Sequence, residues 1–126
     1  MPPDDPREWL ARAHSDLIIA EAHLPGVRIE DLCYHAQQAA EKAIKAVLLA
    51  QSGGFPYIHD LAELLNQVQQ AGLEVPDEVL DAAVLTPYAV EGRYPGFDDL
   101  LERKDQVRAT EIAAKVIAWA ETIANL

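Results

Sequence analysis

The four residues from His35 to Gln38 carry functional groups that are unusual for their place in this sequence. They open the stretch YHAQQAAEKAIKAVLLA, in which small and aliphatic side chains recur at helical spacing. An ordinary core helix would carry leucine where this one carries an imidazole and two amides. Because these groups donate and accept hydrogen bonds, the start of this helix is predicted to line a polar groove.

Among the four histidines, His35 and His59 are the candidates for proton transfer or ligand binding. A structural role stays open for each: His35 as a buried hydrogen-bonding residue, and His59 as the cap of a helix beginning near Asp60. His14 and His23 are predicted to be ordinary helix residues. No pair of histidines has the i,i+4 or HExxH arrangement that zinc sites favour, so no metal site is predicted.

A second unusual segment runs from Thr86 to Pro95 and contains Arg93. This arginine stands beside Tyr94, with Tyr88 nearby in sequence, and an arginine among aromatic rings can bind phosphate while a ring stacks on a base. Alternatively, Arg93 ties its loop to a carboxylate. Glycine-rich phosphate motifs are absent from the sequence, so arginine, lysine or a helix N-terminus would have to bind any phosphate.

Clusters of proline and glycine divide the chain into five predicted helices. They run from about Pro6 to Leu24, Glu30 to Gln51, Asp60 to Gln70, Pro76 to a break at Thr86-Pro87, and Lys104 to Ala124. No alternation of period two predicts a strand. The predicted fold is therefore all-α, a single domain over residues 1–126, with four long helices and one shorter helix in an antiparallel up-and-down bundle.

Periodicity also predicts which side chains face the core. Cys33 is expected to be a small buried residue, whereas Glu41 and Lys45 are expected to pair on the outer face of the second helix. The predicted inward residues of helix 1 are Trp9, Leu10, Ala13, Leu17, Ile18, Ala20 and Leu24, and those of helix 4 are Val79, Leu80, Ala83 and Val84.

Size and charge limit the classes of function. The chain has 126 residues, one cysteine and a formal net charge of −11, so an internal disulfide is excluded and nonspecific binding to nucleic acid is disfavoured. No apolar run has the ~18 residues that a membrane span needs. The first residues lack a secretory signal pattern, so a cytoplasmic protein is expected. Apolar surface left on so small a bundle favours a homodimer.

Three motifs together resemble the HEPN domain family (higher eukaryote and prokaryote nucleotide-binding). They are HAQQAAEKAIKA at 35–46, His59-Asp60-Leu61, and the segment from Thr86-Pro87-Tyr88 to Glu91-Gly92-Arg93-Tyr94-Pro95. The resemblance implies a helical bundle that forms a homodimer. It also implies a small nucleotidyltransferase as partner, often in a toxin-antitoxin pair.

Many proteins of that family are metal-independent ribonucleases with an arginine followed four to six residues later by a histidine. Arg93 stands where the family arginine is expected, but no histidine occurs after His59. Arg28 and His35 have six residues between them, yet they lie at the start of helix 2, where the family does not place its catalytic pair.

The leading hypothesis is therefore a nucleotide-binding or noncatalytic HEPN homodimer, without a cofactor, that acts with a nucleotidyltransferase-type partner. Its candidate nucleotide-binding residues are Arg93 and Lys42 for phosphate, Tyr88 or Tyr94 for the base, and His35, Gln38 and His59 for hydrogen bonds. Two alternatives stay open. One is an endoribonuclease using His35 or His59 with Arg93 or Arg28, and the other is a pure protein-interaction module.

Overall fold

The computed structural model describes residues 4–89 and 101–124, and all regular structure in these two ranges is helical. The α-helices are α1 (Pro6–Ala20), α2 (Ile29–Ser52), α3 (Leu61–Gln70), α4 (Asp77–Leu80) and α5 (Arg103–Ala124), and a 3₁₀ helix over Asp81–Ala89 continues α4. The predicted all-α bundle is confirmed. Among these described helices, none is both long and apolar enough to cross a membrane.

Helix α2 is the centre of the bundle and packs mainly against α1 and α5. Five alanines on α2 are completely buried, and their small side chains let the neighbouring helices approach closely. These alanines are Ala36, Ala39, Ala40, Ala43 and Ala46. The helix ends at Gly53, whose φ of 76° is the left-handed cap conformation that glycine adopts without strain.

Helix α1 begins as predicted but ends early. Asp5 accepts a hydrogen bond from the backbone N–H of Arg7 at 2.9 Å, and Pro6 occupies the first helical position. The helix ends at Ala20 rather than Leu24, where the buried Gln106 of α5 donates to the carbonyl oxygens of Ala20 (2.6 Å) and Ala22 (3.2 Å). These bonds satisfy carbonyls that a longer helix would pair internally.

The early end of α1 changes which of its residues face inward. Leu24 lies beyond the helix and is exposed, and Ile18 is exposed as well, so the inward prediction was wrong for both. Asp16 is buried instead, three residues after the buried Ala13 and four before the buried Ala20.

The segment after Pro76 follows a different period from the one predicted. Its buried side chains are Val79, Ala82 and Leu85, spaced by three, whereas Val84 is exposed. This spacing follows from the 3₁₀ geometry over Asp81–Ala89, which has three residues per turn and places i and i+3 on one side. The predicted inward position of Val84 was therefore wrong.

Helix α3 is capped by Asp60, not by His59. One carboxylate oxygen of Asp60 accepts from the backbone N–H groups of Ala62 (3.0 Å) and Glu63 (3.3 Å). The hydroxyl of Thr86 accepts from the N–H of Leu61 at 3.1 Å and ties the 3₁₀ segment to the start of α3. The N-terminal donors of α3 are thus already engaged, and His59 is left to another partner.

Candidate functional site

A single stripe of half-exposed side chains runs along α2. From Glu30 to Leu48, all residues of this helix outside the stripe are buried. The stripe consists of Asp31, Tyr34, His35, Gln38 and Lys42, whose spacings of three, four and seven place them on one helical face. Of the polar side chains predicted to line a groove here, His35 and Gln38 lie on the accessible side of the helix, whereas Gln37 is buried.

The carboxylate of Asp16 on α1 holds two members of this stripe. One oxygen of Asp16 is 2.9 Å from Nδ1 of His35, and the other accepts a hydrogen bond from Nζ of Lys42 at 2.6 Å. We call these three residues the Asp16 cluster. Because one carboxylate holds both side chains, the other N–H groups of Lys42 and the Nε2 atom of His35 are held in a defined direction.

The Asp16 cluster leaves hydrogen-bonding capacity for a ligand. Asp16 itself is buried, and its charge is balanced by Lys42. Lys42 is 25% exposed and His35 is 31% exposed. The ammonium of Lys42 has two further N–H donors, and Nε2 of His35 faces away from the atom that binds Asp16. Such an arrangement can bind a phosphate or a hydroxyl group.

A second carboxylate, Glu41, lies beside the stripe and is almost completely buried. It accepts hydrogen bonds from Nε2 of Gln37 and Nζ of Lys45, both at 2.9 Å. Both of its oxygens lie 3.0 Å from Nδ1 of His59. Glu41, Gln37, Lys45 and His59 form the Glu41 cluster. Glu41 and Lys45 pair as predicted, but the predicted position on the outer face was wrong, because both side chains are buried in the bundle.

Gln38 connects the stripe to the Glu41 cluster. Its Nε2 donates to Oε1 of Gln37 at 2.7 Å, and Gln37 donates in turn to Glu41. His35 and Lys42 therefore share one carboxylate, while Gln38 and His59 are joined through the other. Of the predicted nucleotide-binding residues, these four are brought together by two adjacent networks.

Aromatic rings flank the Glu41 cluster. Nζ of Lys45 lies 5.2 Å from the ring centroid of Phe55, which is a cation–π distance. Phe55 contacts Trp9 edge to face at 5.1 Å and Tyr57 at 6.2 Å.

Sequence reasoning did not identify Asp16, Glu41, Lys45, Phe55 or Tyr57 as site residues. One signal for Asp16 was available, since an aspartate stands on the apolar face of helix 1 between Ala13 and Ala20.

Tyr88 lies elsewhere. It lines a small pocket with Asp105 and Arg108 of α5, and among the described residues no member of either cluster lines that pocket. Burial raises the pKa of Tyr88, and the nearby Cys33 and Asp105 raise it further. The prediction that Tyr88 shares a groove with His35 is not supported by this placement.

The other predicted cations have different positions. Arg28 stands at the N-cap of α2, is largely exposed, and lies 4.0 Å from Glu30. Arg93 and Tyr94 lie outside the described residues. The described ranges hold no group of three histidine, cysteine or acidic side chains placed to bind a metal ion.

Cys33 is completely buried, as predicted. Burial raises the pKa of its thiol to about 12, and the charges of Asp105 and Glu30 act in the same direction. The thiol is therefore protonated at neutral pH and is a poor nucleophile in the folded protein.

Comparison with known proteins gives a family and two structural neighbours. The model of the HEPN domain matches residues 6–123. The crystal structure of TT1696 from Thermus thermophilus is 30% identical, with a TM-score of 0.83 over 94% of this chain and 97% of that one. ST0689, an archaeal HEPN homologue, is 25% identical, with a TM-score of 0.76 over 94% of this chain and 96% of that one. Among curated proteins, no relative matches the chain.

Proposed function

Because the chain belongs to the HEPN domain family, we propose that it is a nucleotide-binding protein whose ligand binds on the stripe of α2. The observation that carries this proposal is the Asp16 cluster, in which one buried carboxylate orients Lys42 and His35 on the accessible side of a core helix. The phosphates lie against Lys42 and His35, and the amide of Gln38 adds a further hydrogen bond.

The overall charge favours a small anionic ligand over a long one. With a net charge of −11 the protein repels an extended phosphate backbone. A mononucleotide, or the end of a single strand, needs only a few donors in one place. Lys42 supplies these donors at short range through charge-assisted hydrogen bonds, and the Nε2 atom of His35 adds one more hydrogen-bonding group.

Nucleotide titration by calorimetry tests the proposal. We expect ATP or GTP to bind, and Lys42→Met or His35→Ala to weaken binding by about 10- to 100-fold, since a hydrogen bond to a charged group contributes about 1.5–3 kcal/mol. Lys104→Met, which removes an exposed lysine of α5, is the matched control and leaves binding unchanged. If no nucleotide binds, with or without a partner protein, the proposal is wrong.

We also propose that the protein is a cytoplasmic homodimer acting with a small nucleotidyltransferase-type partner, in a toxin-antitoxin-like module. The support is membership of the HEPN family together with exposed apolar side chains, among them Ile18, Leu24 and Val107. Light scattering on the purified protein distinguishes monomer from dimer. A neighbouring reading frame for a nucleotidyltransferase, and co-purification of its product, test the partnership.

A metal-independent endoribonuclease is the second candidate, and the pairs that His35 forms with Asp16 and His59 with Glu41 favour it. In His35 and His59, Nδ1 lies against a carboxylate, so Nε2 is free to exchange a proton with a 2′-oxygen. Arg93 or Arg28 would hold the phosphate.

Incubation with total RNA tests this second candidate. Cleavage that is lost in His35→Ala or His59→Ala, and kept in the control His23→Ala, supports an enzyme. Cleavage that all three variants retain rules out both histidines.

A further inference from the structure

The loop between α2 and α3 presents two exposed side chains beside the Glu41 cluster. Tyr57 is 82% exposed and the side chain of His59 is 69% exposed. Ile58, which stands between them, packs against the core. The loop is therefore anchored at its middle residue, and the residues on either side of it face solvent.

Within residues 4–89 and 101–124, Phe55 is the aromatic ring that contacts Tyr57. The two rings meet edge to face at a centroid distance of 6.2 Å, and Phe55 contacts Trp9 of α1 at 5.1 Å. Nζ of Lys45 also lies 5.2 Å from the ring centroid of Phe55. Tyr57 thus stands at the end of a row of three rings anchored in the bundle, with most of its own surface free for stacking.

The imidazole of His59 has a fixed direction. Its Nδ1 lies 3.0 Å from both oxygens of Glu41, so Nε2 is on the opposite side of an exposed ring. Nε2 accepts a hydrogen bond in the neutral tautomer that donates to Glu41, and donates one when the ring is protonated. Glu41 is a positioning residue, held by Gln37 and Lys45.

Helix capping does not account for these two side chains. The N-terminal donors of α3 bind Asp60 and Thr86, so neither Tyr57 nor His59 caps that helix. An exposed aromatic ring next to an oriented imidazole has the chemistry that recognises a nucleobase, by stacking on its face and hydrogen bonding to its edge or to the ribose.

We infer that Tyr57 and His59 bind the base and ribose of the nucleotide whose phosphates lie against Lys42. This inference rests on the proposed function. Gln38 of the stripe donates to Gln37, and Gln37 donates to Glu41, the carboxylate that holds His59, so a chain of hydrogen bonds joins the stripe to His59. Purine nucleotides should bind more tightly than pyrimidine nucleotides, because the larger ring covers more of Tyr57.

Calorimetric titration with ATP and with inorganic tripolyphosphate, without divalent cations, separates the base from the phosphates. We expect ATP to bind the wild-type protein about tenfold more tightly than tripolyphosphate, a factor consistent with stacking of one base on one aromatic ring. Tyr57→Ala should remove this advantage while leaving tripolyphosphate binding unchanged. Tyr57→Phe, which keeps the ring, should retain it.

The same titrations with His59→Ala should weaken ATP binding by about three- to tenfold, the loss of one hydrogen bond. His23→Ala, which removes an exposed histidine between α1 and α2, should have no effect. Equal affinities of ATP and tripolyphosphate, or full ATP affinity in Tyr57→Ala, would overturn this inference and leave phosphate binding at Lys42 intact. Failure of both ligands to bind the wild-type protein would overturn the proposed function, and this inference with it.

Discussion

The Asp16 and Glu41 clusters contain the same three kinds of side chain, but these side chains are buried to different extents. Each has a buried carboxylate, a lysine ammonium and the Nδ1 atom of a histidine. In the Asp16 cluster the lysine is 25% exposed and the histidine 31%. In the Glu41 cluster the lysine is only 7% exposed, whereas the histidine is 69% exposed.

The difference in depth separates two roles. Lys45 is confined with Glu41 in the bundle, and removing either partner leaves a charge that water cannot reach. Lys42 and His35 are partly exposed to water, so their pairing with Asp16 costs less to break. The deeper cluster therefore stabilises the fold and orients His59, and the shallower cluster is the one suited to bind an anion.

The largest expected effect comes from changing each carboxylate to its amide. Glu41→Gln should lower the free energy of unfolding by about 3 kcal/mol, because Lys45 is left buried without a counter-charge. Asp16→Asn should cost about 1 kcal/mol, because its partners can be hydrated. Urea unfolding followed by circular dichroism measures both. Equal losses in the two variants would contradict the assigned difference in depth.

Two double variants test the same difference in burial between Lys45 and Lys42, with a smaller expected change in the free energy of unfolding. Adding Lys45→Met to Glu41→Gln removes the stranded charge, so about 2 kcal/mol of the loss should be recovered. Adding Lys42→Met to Asp16→Asn should recover less than about 0.5 kcal/mol, since that lysine is already hydrated. The single variants Lys45→Met and Lys42→Met complete two thermodynamic cycles, so urea unfolding is measured on six variants and the wild-type protein. Similar coupling energies in the two cycles would contradict the difference in burial between the two pairs.

Several features of the fold follow directly from the sequence, and others depend on distant contacts. Asp5-Pro6 predicts the start of α1, and Ser52-Gly53 predicts the end of α2, because capping chemistry is local. The end of α1 could not be predicted, since it depends on Gln106, which is 86 residues away from Ala20.

The candidate site could be predicted only in part, because some of its residues are brought together by contacts between distant parts of the chain. His35, Gln38 and Lys42 stand out because they interrupt an alanine-rich helix. Glu41 and Lys45 have the spacing of a surface ion pair, and their burial depends on packing that includes His59 against Glu41 and Phe55 against Lys45. Tyr57 has no sequence signal beyond its position in a loop, because its role depends on Phe55 and Trp9.

Removing the histidines should have smaller effects on stability. His59→Ala should change the free energy of unfolding by less than about 0.5 kcal/mol, because its ring is exposed and Glu41 keeps Lys45 and Gln37. His35→Ala should cost about 1 kcal/mol, since its ring is more buried and Asp16 loses one of two partners. Urea unfolding checks both values, and a larger loss of unfolding free energy for His59→Ala would show that His59 stabilises the fold.

Titration of the Cys33 thiol has no effect on stability at neutral pH, and at high pH it separates burial from charge pairing. The pKa of the Cys33 thiol is about 12 in the folded protein and 9.0 in the unfolded chain. The contribution of the buried thiol to stability is therefore complete below pH 9.0 and is lost as the pH rises through 12. The stability of the wild-type protein should therefore fall more steeply above pH 9.0 than that of Cys33→Ala. Urea unfolding at a series of pH values measures this, and parallel curves would contradict the raised pKa.

Nuclear magnetic resonance of the protein labelled with ¹⁵N in its four histidines tests the central claim, that the Asp16 cluster binds phosphate. Addition of ATP should shift the imidazole signals of His35 and His59, and tripolyphosphate should shift that of His35. The signals of His14, which pairs with Glu121 on α5, and of the exposed His23 should stay in place. A His35 signal unmoved by saturating ATP, or equal shifts of all four signals, would contradict the claim.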